Sequence, residues 1–593
     1  MEGASSIGGL VGYNNAYEKG TTSIMQAEAS GSVSSRGTVV GGLVGLNSAD
    51  GDGASVLIRR VNALGEVSAG DFAGGLVGYN QAYNGSSIDI SYAQASGQVT
   101  GARGNVGGLV GGNEVLGSST VYISHVRSSG PVSGGNYVGG LIGYNGVFGG
   151  GEVAISDAEA KGVVRGTSQV GGLVGQNDAN EGGTARISNA HATGEQVVGT
   201  GKNVGGLVGL NWVDTGSTAS ISGSDATAAV SGDERVGGLV GSNEAHGGEA
   251  EITGSHATGT VSGAKQVGGL VGANTADMGA AVVLGSHATG LVMGTNDVGG
   301  LVGSNEASNG GTASISGSHA DGLMVVGTRS NAGGLVGRNR VENGGAASIS
   351  SSQSNAMVQG AGVVGGLVGW NGAVTSGKAS VSGSKAIGGV SGTDYVGGLV
   401  GVNQAGAGEA EITGSSATGG VDGSQYVGGL VGSNYASTYG KASISGSNAS
   451  GDVDGASVIG GLAGENRAEG GVARIENANA SGLVSGAGAL MAGGLVGHNV
   501  ASGFGEALVS GSHAHGSVGA QAMSAAWWVL TRPSTMAWPA FPAPLPGGEW
   551  WWVQETMSEG WSAPTMHRTA AKPASSMPGR WGGRWTANTS RCR

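Results

Sequence analysis

Cysteine is all but missing from this chain: the one thiol, Cys592, is the penultimate of 593 residues. Without a second thiol no intrachain disulfide can form, and the body of the chain cannot build a cysteine-rich metal site. Proline is scarce too, since eight of the nine lie after residue 520, and only four Phe occur anywhere. Charged residues make up 11% of the chain, and no run of about 18 apolar residues offers a membrane-spanning helix. Seven of the 27 Lys and Arg follow residue 520, against three of the 40 Asp and Glu, which leaves the first 520 residues at a net charge of −17. A body of that sign repels nucleic acid and anionic membrane, so neither is an expected partner. Met1-Glu2-Gly3-Ala4 passes straight into a repeat with no signal-peptide pattern, and the chain is expected to start inside a longer protein.

What is abundant is glycine, 129 residues of it, held at fixed places. The octet V-G-G-L-V-G-x-N, or a close variant, recurs sixteen times, its first glycine falling at Gly8, Gly41, Gly74, Gly107, Gly139, Gly171, Gly205, Gly237, Gly268, Gly299, Gly333, Gly365, Gly397, Gly428, Gly460 and Gly493. Successive copies lie 31 to 34 residues apart. A period of that length marks a solenoid, which grows by stacking neighbours and escapes the usual limit on core size.

The copy Val236–Gln266 divides into three extended segments: Val236 to Asn243, a second in which Ala250, Ile252 and Gly254 alternate with Glu251 and Thr253, and a third around Ala257, Gly259 and Val261. Small apolar residues alternating with hydroxyl residues predict strands with one buried face, and Ser-Gly steps between them supply turns. Helix is disfavoured, because each interior glycine costs about 1 kcal/mol relative to alanine and no apolar run has 3.6-residue spacing. The predicted fold is therefore all-β, a parallel β-helix of about sixteen 32-residue repeats. One coil per repeat stacks to a rod roughly 75 Å long, and two smaller coils per repeat would double that. The adjacent Leu239 and Val240 break the alternation, and sequence alone does not assign both to a face.

The eighth octet position is Asn in every copy: Asn14, Asn47, Asn80, Asn113, Asn145, Asn177, Asn211, Asn243, Asn274, Asn305, Asn339, Asn371, Asn403, Asn434, Asn466 and Asn499. Stacked in register, each amide can donate to the next, and a structural ladder is expected rather than a ligand-binding row. His256, His287 and His319 hold one place in three successive repeats, with His125, His191 and His513 in similar places. Other copies put Asp225, Lys385 or Asn448 there, a tolerance that reads as solvated surface rather than a metal site. Asp50 and Asp52, in A-D-G-D-G, read as a surface turn, because no repeated calcium pattern accompanies them. Rows of Ser and Thr offer no Ser-His-Asp arrangement, and chance G-x-G-x-x-G matches lack a strand-to-helix context. No catalytic centre, cofactor or metal is expected.

The octet followed by A-x-I-S-x-S-x-A-x-G-x-V-x-G, over about residues 1 to 520, closely resembles the GLUG motif repeats of large secreted bacterial adhesins of the filamentous-haemagglutinin kind. The resemblance implies a non-enzymatic fragment of an exported adhesin, a stalk or repetitive surface that attaches to a host-cell glycan or protein. It also implies passage through an outer-membrane partner and display outside a Gram-negative cell. The competing classes are a structural protein of biofilm or cell surface and a polysaccharide-cleaving β-helix enzyme. The enzyme would need a local break in the repeat bearing clustered charges, and none is visible.

Residues 521–593 read differently: nine of the eleven Trp lie there and Asp vanishes. Shifting the frame by one base turns Met523–Thr531 into a codon set containing V-G-G-L-V-G-(S/A/T)-N, and Met557–Thr565 into a second. The two are 34 residues apart, inside the range of the repeat. A frameshift near residues 519 to 522 is expected, with a disordered or poorly packed tail after it.

Overall fold

The computed structural model describes residues 6–520 apart from 37 and 487, together with strands Met523–Ala525 and Thr531–Ser534. The described residues lie in one compact unit, Met1–Thr535. Apart from these two strands, the expectations for residues 521–593 lie outside the described residues.

The unit is an all-β parallel solenoid. In the repeat containing Val236 the chain forms five strands, named here by their signature residues. They are the Gly-Gly strand Glu234–Gly237, the Asn strand Val240–His246, the Ile strand Glu249–Thr253, the Ala strand His256–Ala257 and the Val strand Val261–Ser262. Stacking of equivalent strands makes four sheets of 17, 17, 30 and 16 strands, the largest of which holds both Ile and Ala strands. Asn243 pairs with Asn211 in the coil before and Asn274 in the coil after. Since those partners are one repeat away, each repeat makes one coil and the two-coil alternative is excluded.

The three-segment reading of the repeat needs correction. The octet is two strands, not one, because the chain turns a corner at Gly238-Leu239. That corner is why Leu239 and Val240, adjacent in sequence, are both fully buried: Leu239 lies in the bend and Val240 opens the strand after it, so the change of direction lets both face the interior. The third expected segment likewise divides into the Ala and Val strands.

The interior has two main columns of side chains. Leu239, Val240, Ala245, Ala250, Ile252 and Ala257 belong to the larger, and Val236 and Val261 to the smaller. Coils are one strand spacing thick, so each inward residue packs on its own kind above and below. Full burial of Leu239 and Ile252 stabilises the coil by roughly 2–3 kcal/mol for each side chain. The glycine pair sits where sheets come too close for any side chain. A Cβ on Gly237 would stand 1.9 Å from the Val240 carbonyl oxygen, and one on Gly238 would stand 2.0 Å from the Gly269 oxygen and 3.0 Å from the Ala257 Cβ.

The stack continues past residue 520. Strand Met523–Ala525 pairs parallel with Met491–Gly493, placing Ser524 opposite Ala492, and Thr531 pairs with Asn499.

Candidate functional surface

The sixteen Asn form one continuous hydrogen-bonded file. From Asn14 to Asn499 each Nδ2 donates to the Oδ1 of the Asn one coil on, at 2.7 to 3.1 Å. The same Nδ2 in later coils also donates to the Ile strand, as Asn243 does to the Ala250 oxygen at 3.0 Å and Asn274 to the Ala281 oxygen at 3.0 Å. Asn47 to Asn466 are wholly buried, whereas Asn14 is half-buried in the first coil. The amide therefore ties coil to coil and the Asn sheet to the Ile sheet.

His256, His287 and His319 stand in register on the Ala strands, with ring centroids 5.2 and 4.9 Å apart. Burial and its two imidazole neighbours lower the pKa of His287, so the central ring resists a second positive charge. Among the described residues no group of three His, Cys, Asp or Glu is arranged to hold a metal ion. His191 occupies the same column, against Asp225, and His513 pairs with Asn479 at the equivalent place. His125 does not share it. The chain places His125 two residues earlier, on the corner between the Ile and Ala strands, and Arg127 takes the column position. Asp50 ends its Asn strand and accepts from Asn84 Nδ2 at 2.8 Å.

Where the Gly-Gly and Asn sheets meet, half-buried charges neutralise one another. Arg235 Nη1 is 2.5 Å from Glu244 Oε1, and Arg338 lies between Asp297 at 3.4 Å and Glu306 at 2.5 Å. Burial alone would raise the Glu244 carboxyl, but His246, Arg235 and the Ser242 hydroxyl together hold it below the usual carboxylate value. The Glu244 carboxylate in turn raises His246. Tyr144 Oη donates to Asp178 at 2.9 Å. Each of these carboxylates faces a cation or a hydroxyl donor, while Arg235 Nε is buried without a hydrogen-bond partner.

Shallow depressions open on the described surface, two of them beside aromatic side chains. One, of about 350 Å³, is lined by Trp370, Val374, Gln404 and Ser437, with Trp370 Nε1 donating to Gln404 at 3.0 Å. The other, of about 390 Å³, is lined by Tyr92, Gln94, His125, Arg127 and Asp157. Sequence reading missed this second group. The signal for it was present: the residue that opens the Ile-to-Ala corner is Gly in most later repeats, as at Gly254 and Gly285, and Tyr92, His125 and Asp157 in earlier ones.

Fold and surface together define a repeat protein with one β-coil per repeat, built to stack and to present rows of polar side chains. The family model Glug, described as the GLUG motif, matches residues 166–198, 232–262 and 423–454. The chain thus carries a GLUG-motif repeat region, and the 232–262 match spans one coil, from the approach to its Gly-Gly strand to the end of its Val strand. No curated protein and no solved structure matches the chain.

Proposed function

We infer that the solenoid is the non-catalytic stalk and repetitive contact surface of an exported adhesin of the filamentous-haemagglutinin kind. Its place is outside a Gram-negative cell, reached through an outer-membrane partner, and its targets are host-cell glycans or proteins. The observation that carries this reading is the uninterrupted file of coils with GLUG-type repeats: it spends the chain on length and on repeated polar surface. The Asn file is assigned to architecture in the same reading, because its amides face inward and bond to one another.

The test is adhesion of beads coated with the purified chain to cultured epithelial cells, against beads coated with serum albumin. Attachment above the albumin control supports the adhesin reading. Absence of attachment, combined with strengthening of a biofilm matrix, assigns the chain instead to the structural proteins of the cell surface.

A further inference from the structure

The corner between the Ile and Ala strands has a left-handed backbone in every one of the first six coils, yet none of the six residues there is glycine. They are Gln26 (φ 52°), Arg60 (φ 55°), Tyr92 (φ 54°), His125 (φ 54°), Asp157 (φ 50°) and Asn189 (φ 49°). Asn, Asp and His are the side chains most often found in this region, whereas Arg, Tyr and Gln adopt it at a cost that glycine avoids. Most later coils show the unstrained solution, with Gly223, Gly254, Gly285 and Gly317 at φ 54° to 56°, while Ser351 (φ 48°) and Asn477 (φ 51°) keep a side chain there. At those four glycines no heavy atom lies within 4 Å of where a Cβ would stand. A side chain on this corner therefore gains no core packing, and all six are exposed.

Four of the six side chains, Tyr92, His125, Asp157 and Asn189, are joined from coil to coil. Their flanking strands pair in register, Ser91 with Ser124 and Gln94 with Arg127 among them. Tyr92 stacks on His125 with centroids 4.8 Å apart and planes 20° apart, and His125 Nε2 lies 3.8 Å from Asp157 Oδ2. Asn189 donates to Asp157 Oδ1. Gln94 and Arg127, from the neighbouring column, complete the depression of about 390 Å³ beside the stack. Left-handed non-glycine residues also recur at Tyr137, Gln169, Asn203, Arg235, Gln266 and Asp297; what sets this corner apart is that its side chains are exposed and that Tyr92, His125 and Asp157 join across coils.

We propose that this corner strip binds a neutral polysaccharide chain lying along the solenoid axis. The strip is linear, with one group per coil at the strand spacing of about 4.8 Å. It offers guanidinium, amide, imidazole and carboxylate groups to hydroxyls and a tyrosine ring to a sugar face. An extended peptide has less to bind, because the strands beside the corner are paired on both edges and present no free ladder. A polyanion is disfavoured by the net charge of −17 on the first 520 residues. The proposal rests on the contact-surface reading above and narrows it to one strip and one ligand class.

The test uses the full chain and the triple variant Tyr92→Gly, His125→Gly, Asp157→Gly, which gives these corners the glycine of later coils. Affinity electrophoresis against galactomannan, xyloglucan and dextran, with heparin as the anionic control, is read beside the thermal midpoint of each protein. Expected are retention by at least one neutral polysaccharide and none by heparin, at least tenfold weaker binding by the variant, and a variant midpoint equal to or above the parent's. Equal binding by variant and parent overturns the strip while leaving the contact-surface reading intact. So does a variant midpoint several degrees lower, which makes the column cohesive instead. A parent that binds none of the neutral polysaccharides but still attaches to cells overturns the ligand class alone, and one that does neither overturns both readings.

Discussion

Asn274 shows how much one side chain can carry in a stacked fold. It accepts from Asn243, donates to Asn305 and to the Ala281 oxygen, and is wholly buried, so truncation strands partners on both sides. Asn274→Ala is expected to cost about 1–3 kcal/mol of unfolding free energy, read from urea denaturation. Asn274→Asp is expected to cost more, about 3 kcal/mol or above at neutral pH, because an ionised carboxylate there cannot donate and faces the Asn305 oxygen. Part of that loss should return on acidification, since the protonated carboxyl donates again. An Asp variant as stable as the parent at pH 7 would refute the interior role of the amide. Two glycines give a second contrast. Gly237→Ala would put its Cβ 1.9 Å from the Val240 oxygen, whereas Gly254→Ala meets open space and only an unfavourable φ of 54°. The first is expected to cost about 3 kcal/mol or more and the second about 1 kcal/mol.

Between elements, the seam of the Gly-Gly and Asn strands predicts a pH window. Glu244 has its pKa lowered in the folded chain, so its contribution is present above its ordinary 4.5 and is lost as pH falls through the lower folded value. His246 is raised, so its contribution is present in full below its ordinary 6.5 and is lost as pH rises through the higher folded value. His246→Gln is therefore expected to lower the urea midpoint at pH 5.5 and to leave it near the parent's at pH 8.5. The opposite ordering, with the larger loss at pH 8.5, would show that His246 acts through packing. The Ile-to-Ala corner obeys a separate local rule. Gly223, Gly254 and Gly285 are followed by Ser224, Ser255 and Ser286, whose hydroxyls accept from the backbone of the preceding coil, as Ser286 Oγ does from Ser255 N at 3.2 Å. Tyr92, His125 and Asp157 are followed by Ala93, Val126 and Ala158, which bury a methyl group there instead.

For the whole solenoid, circular dichroism should show β structure with negligible helix, and a helical spectrum would refute the coil stack. The pairing of the last described strands bears on the reading frame. The one-base shift decodes Ser524 as the octet Val and Thr531 as the octet Asn, and these residues lie opposite Ala492 and Asn499, which hold the same two octet places. We propose on that basis that the residues after about 520 descend from the repeat array by a frameshift. Genomic DNA across codons 519 to 531 is expected to read Val-Gly-Gly-Leu-Val-Gly-x-Asn in the shifted frame. Codons for Trp527 and Trp528 flanked by bases that do not restore Gly-Gly-Leu-Val-Gly would establish the Trp-rich stretch as a segment in its own right.

Periodicity alone determined the class of this protein. Sixteen octets at near-constant spacing admit only a stacked repeat, and glycine with period-two alternation makes that repeat β rather than helical. The Asn row was equally legible, because an invariant amide in a stacked array has its own copies as nearest neighbours. The corner at Gly238-Leu239 was not, since a change of direction reverses which side is inward and a period-two pattern cannot register it. Nor was the division of the interior into two columns, which depends on Gly238 letting the Gly-Gly sheet close onto Ala257. Only the tertiary structure joined Tyr92, His125 and Asp157 into one strip. They are 32 or 33 residues apart in the chain, and stacking in register is what turns one residue per repeat into a continuous surface.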